Sequence, residues 1–214
     1  MSDPFSPNAD YKVPKGDSKY LKFEDGQTEF LPLAGAVVGW EYWDNNNKPV
    51  RLSEKPEVPL AELPNIRAER DGSYSVKHFW AFPVIDCVDG KVKVLEITQK
   101  SVQKAIRAYI ENPRWGSPVL KYSFTVKKEG SKLDTEYEVM ANPASDIPTA
   151  WVTAWNLAKS KGFNINALFI GDDPFEPKKT PPMTEAEAEI EFDSGAEDTA
   201  TPPDHEEEPS VDIG

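Results

Sequence analysis

Apolar positions along this chain repeat with two different periods, and the changes of period mark its elements. Residues 119–128 alternate, with Leu120, Tyr122, Phe124 and Val126 on one face and Lys121, Ser123, Thr125 and Lys127 on the other. That is the pattern of a half-buried strand. The turn Glu129-Gly130-Ser131 leads to a partner strand at 135–140. Upstream, 75–87 is a strand with apolar groups on both faces, and 91–98 returns beside it after the two-residue turn Asp89-Gly90. Residues 36–43 form an aromatic, β-branched strand that ends at the polar turn 44–47. Residues 20–23 and 28–33 flank Glu24-Asp25-Gly26 and suggest a short hairpin. Between 99 and 112 the period becomes helical. Val102, Ala105, Ile106, Tyr109 and Ile110 make one stripe, closed by Pro113. A second amphipathic helix is expected over 148–161, ending at Gly162. Residues 47–73 hold Pro49, Pro56, Pro59 and Pro64 without a period, a long excursion of the kind that is functional or disordered.

The resulting order predicts a mainly β protein: an OB-type five-stranded barrel with a helix between strands 3 and 4, followed by an additional C-terminal helix. Short strands alone would also suit a sandwich, but a sandwich does not call for a helix at that place. Residues 1–18, rich in Pro, Ser, Asp and Gly, read as a flexible arm. Residues 19–171 are then the barrel domain, and 172–214 are expected to be a disordered acidic tail.

Charge sharpens that division. The chain carries a net −13, and residues 172–214 alone hold 15 acidic and two basic residues. The body therefore balances to zero, and its neutrality in sum leaves room for a basic groove. A single cysteine, Cys87, excludes an internal disulfide and fits a reducing compartment. With only His78 and His205 beside it, no Cys/His zinc site can be assembled, and no cofactor is expected. Nothing at the start has the apolar stretch of a signal peptide, and no run approaches a membrane span, so a soluble cytoplasmic protein is expected.

Catalytic signatures are missing from the sequence: there is no phosphate-binding glycine loop, no nucleophile elbow and no metalloprotease helix. The expected class is a non-enzymatic binder. Aromatic residues reach 11% and interleave with cations. Trp40, Tyr42 and Trp43 precede Arg51; Lys77 adjoins Phe79 and Trp80; Lys93, Arg114, Trp115 and Lys121 follow. Single-stranded DNA needs such a pairing, rings to stack its exposed bases and cations to track its phosphates. The same aromatics could instead be core, the expectation for Tyr122, Phe124 and Tyr137. In the tail, Ile190-Glu191-Phe192 and Val211-Asp212-Ile213 are candidate contacts for replication or recombination proteins. The rival readings are an OB-like protein–protein adaptor or virion component without DNA binding, and a metal-dependent nuclease.

Several spaced motifs carry a resemblance. Trp40-Glu41-Tyr42-Trp43 with Lys48-Pro49-Val50-Arg51, the Phe79-Trp80 strand, the run 94–100 entering the helix, Trp115-Gly116-Ser117-Pro118 before Tyr122-Ser123-Phe124, and Asp134-Thr135-Glu136-Tyr137 are similar to bacteriophage single-stranded-DNA-binding proteins of the OB type. The likeness spans about residues 19–142, and the acidic tail is similar in kind. It implies a role in DNA replication, recombination or repair in a host cytoplasm, with Trp/Tyr and Lys/Arg lining a groove. The zinc ligands of the T-even relatives are missing here, and the terminus differs from the Ile-Pro-Phe ending of bacterial counterparts.

Overall fold

The structure is a computed structural model that describes residues 18–131 and 134–177. The expectations for the N-terminal arm, for His205 and for the two apolar contact points of the tail lie outside the described residues. Within them the chain is mainly β, with eight strands: β1 Tyr20–Leu21, β2 Gly26–Pro32, β3 Val37–Trp43, β4 Pro49–Leu52, β5 Lys77–Asp86, β6 Val92–Ile97, β7 Phe124–Glu129 and β8 Glu136–Ala141. Helix α1 spans Lys100–Glu111 and helix α2 spans Thr149–Ser160, with a 3-10 helix at Ile165–Ile170 behind it. No helix among the described residues is long and apolar enough to cross a membrane.

β5 is the axis of the sheet. One edge pairs antiparallel with β6; the other pairs with β3 along its first half and with β2 at its end. The stretch 26–43 thus runs along β5 in two pieces, broken at residues 33–36. β2 also pairs with β7, β7 with β8, and β1 lies parallel to β6, giving the path β1-β6-β5-β2-β7-β8 with β3 and β4 branching from β5. The sheet is open: among the described residues no ladder joins β8 to β6, so the closed barrel expected from the sequence is not formed. Instead α1 lies beside β8. Its stripe, Val102 and Ile106, enters a core with Phe30, Phe82, Leu95 and Phe124. Side chains, rather than a backbone seam, seal that side.

The opposite face of the sheet is covered as well. Phe79, Ala81 and Val94 pack under Leu168 of the 3-10 helix, and Leu31 and Ile85 pack under Trp155 of α2. This is why β5 reads as apolar on both faces: a strand covered on both sides has no polar face to alternate with. Packing continues past the 3-10 helix. Phe175 meets Phe163 edge-on at 5.0 Å, and Lys19 Nζ donates to Asp173 at 2.6 Å and to Glu176 at 3.1 Å.

Three local expectations are corrected. The segment 20–23 does not form a hairpin with 28–33; β1 instead pairs with β6, Tyr20 opposite Val94. The β5–β6 connection is longer than two residues. Asp86 N–H donates to Lys91 O and Gly90 N–H to Asp86 O, with Gly90 at φ +69°. β7 starts only at Phe124, because Leu120 sits at φ +50° in a turn that an extended strand cannot contain. The excursion also hides a strand. β4 pairs with β3 across a turn in which Asp44 Oδ1 accepts from the N–H groups of Asn46 and Lys48. Its Pro49 is tolerated as the first residue of an edge strand.

Candidate nucleic-acid interface

Strand register decides which aromatics share a surface. In the β3–β5 ladder Trp40 lies opposite His78, and Val38 lies opposite Trp80. Residues directly opposite project to the same face, so these four form one patch. Trp40 and His78 meet edge-on with ring centroids 5.2 Å apart. His78 Nδ1 lies 3.4 Å from Gln103 Oε1, and Gln103 donates to Ile97 O at 2.7 Å, so α1 steadies the ring from below. Val38 is 49% exposed, and Lys55 places its ammonium 5.5 Å from the Trp40 ring centre.

The patch opens into a groove of about 260 Å³. Val38 and Trp80 form its β-sheet side, Ile106, Arg107 and Ile110 its helical side, and Pro118 and Val119 close one end. Arg107 is the one charged residue lining it among the described residues, and its Nε donates to Glu111 at 2.6 Å in an exposed helix pair. Such pairs contribute only ~0.3–0.5 kcal/mol, so the guanidinium can be drawn away readily. Lys100 and Lys104 are exposed on the same helix.

At the end of β3 stands a second aromatic–cation pair. Trp43 is 40% exposed, and the Arg67 guanidinium lies 5.8 Å from its ring centre. Arg67 N–H donates to Trp43 O at 2.8 Å, and its side chain donates to Asn47, so the excursion is tied to the β3–β4 turn. Beneath, Tyr42, Leu63 and Ile66 make a small core of their own.

The candidates from the sequence separate accordingly. Trp40, Trp43 and Trp80 reach the surface. Tyr42 and Phe79 do not: Tyr42 is 3% exposed with its hydroxyl donated to Pro64 O, and Phe79 is fully buried under the C-terminal segment. Both belong to cores because tertiary cover falls on the faces they project from. Trp115 is half-buried, packed edge-on against Tyr109 at 5.6 Å and tilted on Tyr122 at 5.0 Å. Among the cations, Arg51 donates to Glu96 Oε2 at 2.9 and 2.7 Å and lies 3.6 Å from Glu41, all three being largely buried. Lys93 is held by Asp86 at 2.7 Å and Asp89 at 2.8 Å. Burial would lower the Lys93 pKa, yet these two hydrogen bonds raise it above its ordinary value. Arg51 and Lys93, both expected as phosphate contacts, are therefore ion-paired within the fold. Lys77, Arg114 and Lys121 are exposed; Lys121 lines a separate cavity, away from the patch.

That second cavity, about 240 Å³, holds Glu29, Ser123 and Cys87. Ser123 donates to Glu29 Oε1 at 2.6 Å, and Asn142 donates to Glu29, Ser123 and Thr125. Burial, with Glu29 and Asp86 nearby, pushes the Cys87 thiol up to about 12, so it stays protonated and is a poor nucleophile.

Sequence reasoning passed over Val38, Lys55, Arg67, Arg107 and Ile110 as site residues, and gave His78 no part in binding. The parity of Val38 with Trp40 and of His78 with Trp80 was visible, but the register that joins them was not. Comparison with protein-family models, curated proteins and solved structures gives no match to this chain.

Proposed function

We propose that this protein binds single-stranded DNA with little sequence preference, through the Trp40–His78–Val38–Trp80 patch and the Trp43–Arg67 pair. The observation that carries the reading is the combination of surface tryptophans with cations poised over them, Lys55 over Trp40 and Arg67 over Trp43. A base stacking on either ring brings its phosphate next to a cation already in place. Stacking contributes ~1–3 kcal/mol per base and tolerates any sequence, because every base has a π face.

Strand order supports an OB-type reading of the fold. Taking β2 and β3 as one bent strand and leaving β1 and β4 aside, five strands follow in sequence, with α1 between the third and fourth. The open seam between β6 and β8 is the departure from it. This reading also favours the likeness to phage single-stranded-DNA-binding proteins and a part in DNA replication, recombination or repair, with the acidic tail moderating binding and recruiting partners. A cytoplasmic place of action follows from that role.

Titration with oligo-dT tests it. Intrinsic tryptophan fluorescence quenches, and affinity falls steeply as salt rises. Trp40→Ala and Trp43→Ala together weaken binding. Unchanged fluorescence and no DNA retardation at low salt reject the reading. An adaptor role is favoured by one observation, the exposed Val152 and Leu157 on α2. On that reading DNA leaves the protein unaffected and Leu157→Ser releases a protein partner.

A further inference from the structure

We infer that the groove between β3, β5 and α1 receives one unstacked pyrimidine base of the bound strand, thymine in preference. This rests on the DNA-binding reading above and adds to it a base subsite with a chemical preference. Four features of the groove argue for that occupant.

Continuity comes first: Val38 and Trp80 belong both to the stacking patch and to the groove wall. A strand stacked on Trp40 reaches the groove without a break. Size comes second. A dry apolar cavity of ~150 Å³ accepts a benzene ring, so about 260 Å³ accommodates a six-membered base with its substituents. Charge is third. Among the described residues Arg107 lines the groove and no carboxylate does, its partner Glu111 lying outside the lining, while Lys100 and Lys104 stand exposed on the same helix. A polyanion suits this rim, and a basic or neutral peptide gains less from it.

Polarity is the fourth feature and sets the preference. Apart from Arg107 and the Trp80 indole N–H, the described side chains around the groove offer only the hydroxyl of Ser117. A polar base edge placed there loses its water without gaining partners. Either pyrimidine therefore keeps its polar edge toward the open mouth, and thymine alone adds a methyl group that gains from burial beside Val38, Ile110 and Val119. Burying one methyl corresponds to about a three- to fourfold difference in affinity. Because the base must leave its helix to enter, the subsite also rejects duplex DNA.

The test compares oligo-dT with oligo-deoxyuridine of equal length, which differs only by the methyl group, on the full chain at low salt by fluorescence anisotropy. The wild type binds oligo-dT at least threefold more tightly. Val38→Thr and Ile110→Asn, both at exposed positions, bring the ratio of the two affinities to one by weakening oligo-dT more than oligo-deoxyuridine. Equal affinities in the wild type overturn the subsite, while a loss of binding in Trp40→Ala would still uphold DNA binding. A preference that survives in both variants places the discrimination on the tryptophans and also overturns it. Variants that bind both oligomers more tightly identify the chain's own acidic tail as the occupant, which overturns it too. Failure of the wild type to bind either oligomer rejects the subsite and the DNA-binding reading together.

Discussion

Trp40 and His78 face each other across the β3–β5 ladder, their ring centroids 5.2 Å apart and their planes inclined by 66°. The contact fixes the tryptophan at a defined angle while leaving it half-exposed, a ring oriented before any ligand arrives. Trp40→Ala is expected to lower oligo-dT affinity about tenfold, the effect of losing one stacked base. His78→Ala, which leaves the indole in place but unbraced, costs a smaller factor. Anisotropy titrations at matched salt measure both.

Arg51 behaves differently. Its guanidinium is hydrogen-bonded to Glu96 and sits near Glu41, with 9% of the side chain exposed. Arg51→Met leaves two buried carboxylates facing each other and is expected to destabilise the fold by about 3–5 kcal/mol. Urea unfolding measures this. DNA affinity of the folded fraction is expected to change less than twofold, since the guanidinium is taken up by Glu96.

Glu41 gives a pH signature. Its burial first, then the negative charge of Glu96, push its carboxyl up from 4.5 to about 7, against the opposing pull of Arg51 and Lys77. One of its oxygens has no hydrogen-bond partner. A raised carboxyl pKa means the folded state holds the proton more tightly than the unfolded state. Its contribution is therefore full below about pH 4.5, declines between 4.5 and 7, and is flat above. Glu41→Gln is expected to match the wild type near pH 4.5 and to exceed it at pH 8 by about 3 kcal/mol, roughly the differential over that window. The difference between the two melting profiles isolates this group from carboxyls such as Asp44 and Asp89, whose lowered pKa values act in the opposite direction.

Gly39 marks the closest approach of the C-terminal cover to the sheet. A Cβ there would lie 2.5 Å from Leu52 O and 2.9 Å from the rings of Phe169 and Phe79. Gly39→Ala must separate β3 from β4 or displace the 3-10 helix, and overpacking of this kind costs about 1–3 kcal/mol. A lowered denaturation midpoint with an unchanged slope is the expected result.

Truncation tests the tail. Asp173 and Glu176 pair with Lys19, so the cut belongs after residue 177. This removes twelve acidic and two basic residues. Affinity for oligo-dT at low salt is expected to rise several-fold, and the gain to shrink as salt screens the tail's charge. Unchanged affinity at low salt would show that the tail does not compete with DNA.

Much of the fold was legible in the sequence because it is local. The stripe Val102–Ile106–Tyr109 required a helix, the alternation through Phe124 and Val126 required a strand, and charge counting separated body from tail. These follow from side-chain periodicity and composition, which need no knowledge of distant residues. What only the tertiary structure decided was which faces stay open and which charges stay free. Phe79 and Trp80 are neighbours in one strand, yet the first is sealed under Leu168 and the second opens on a groove, because the C-terminal segment covers one face of β5. Arg51 and Lys55 are equally cationic in sequence, yet one is spent on Glu96 and the other hovers over Trp40. Burial and ion pairing are set by contacts between residues far apart in the chain, and no local pattern encodes them.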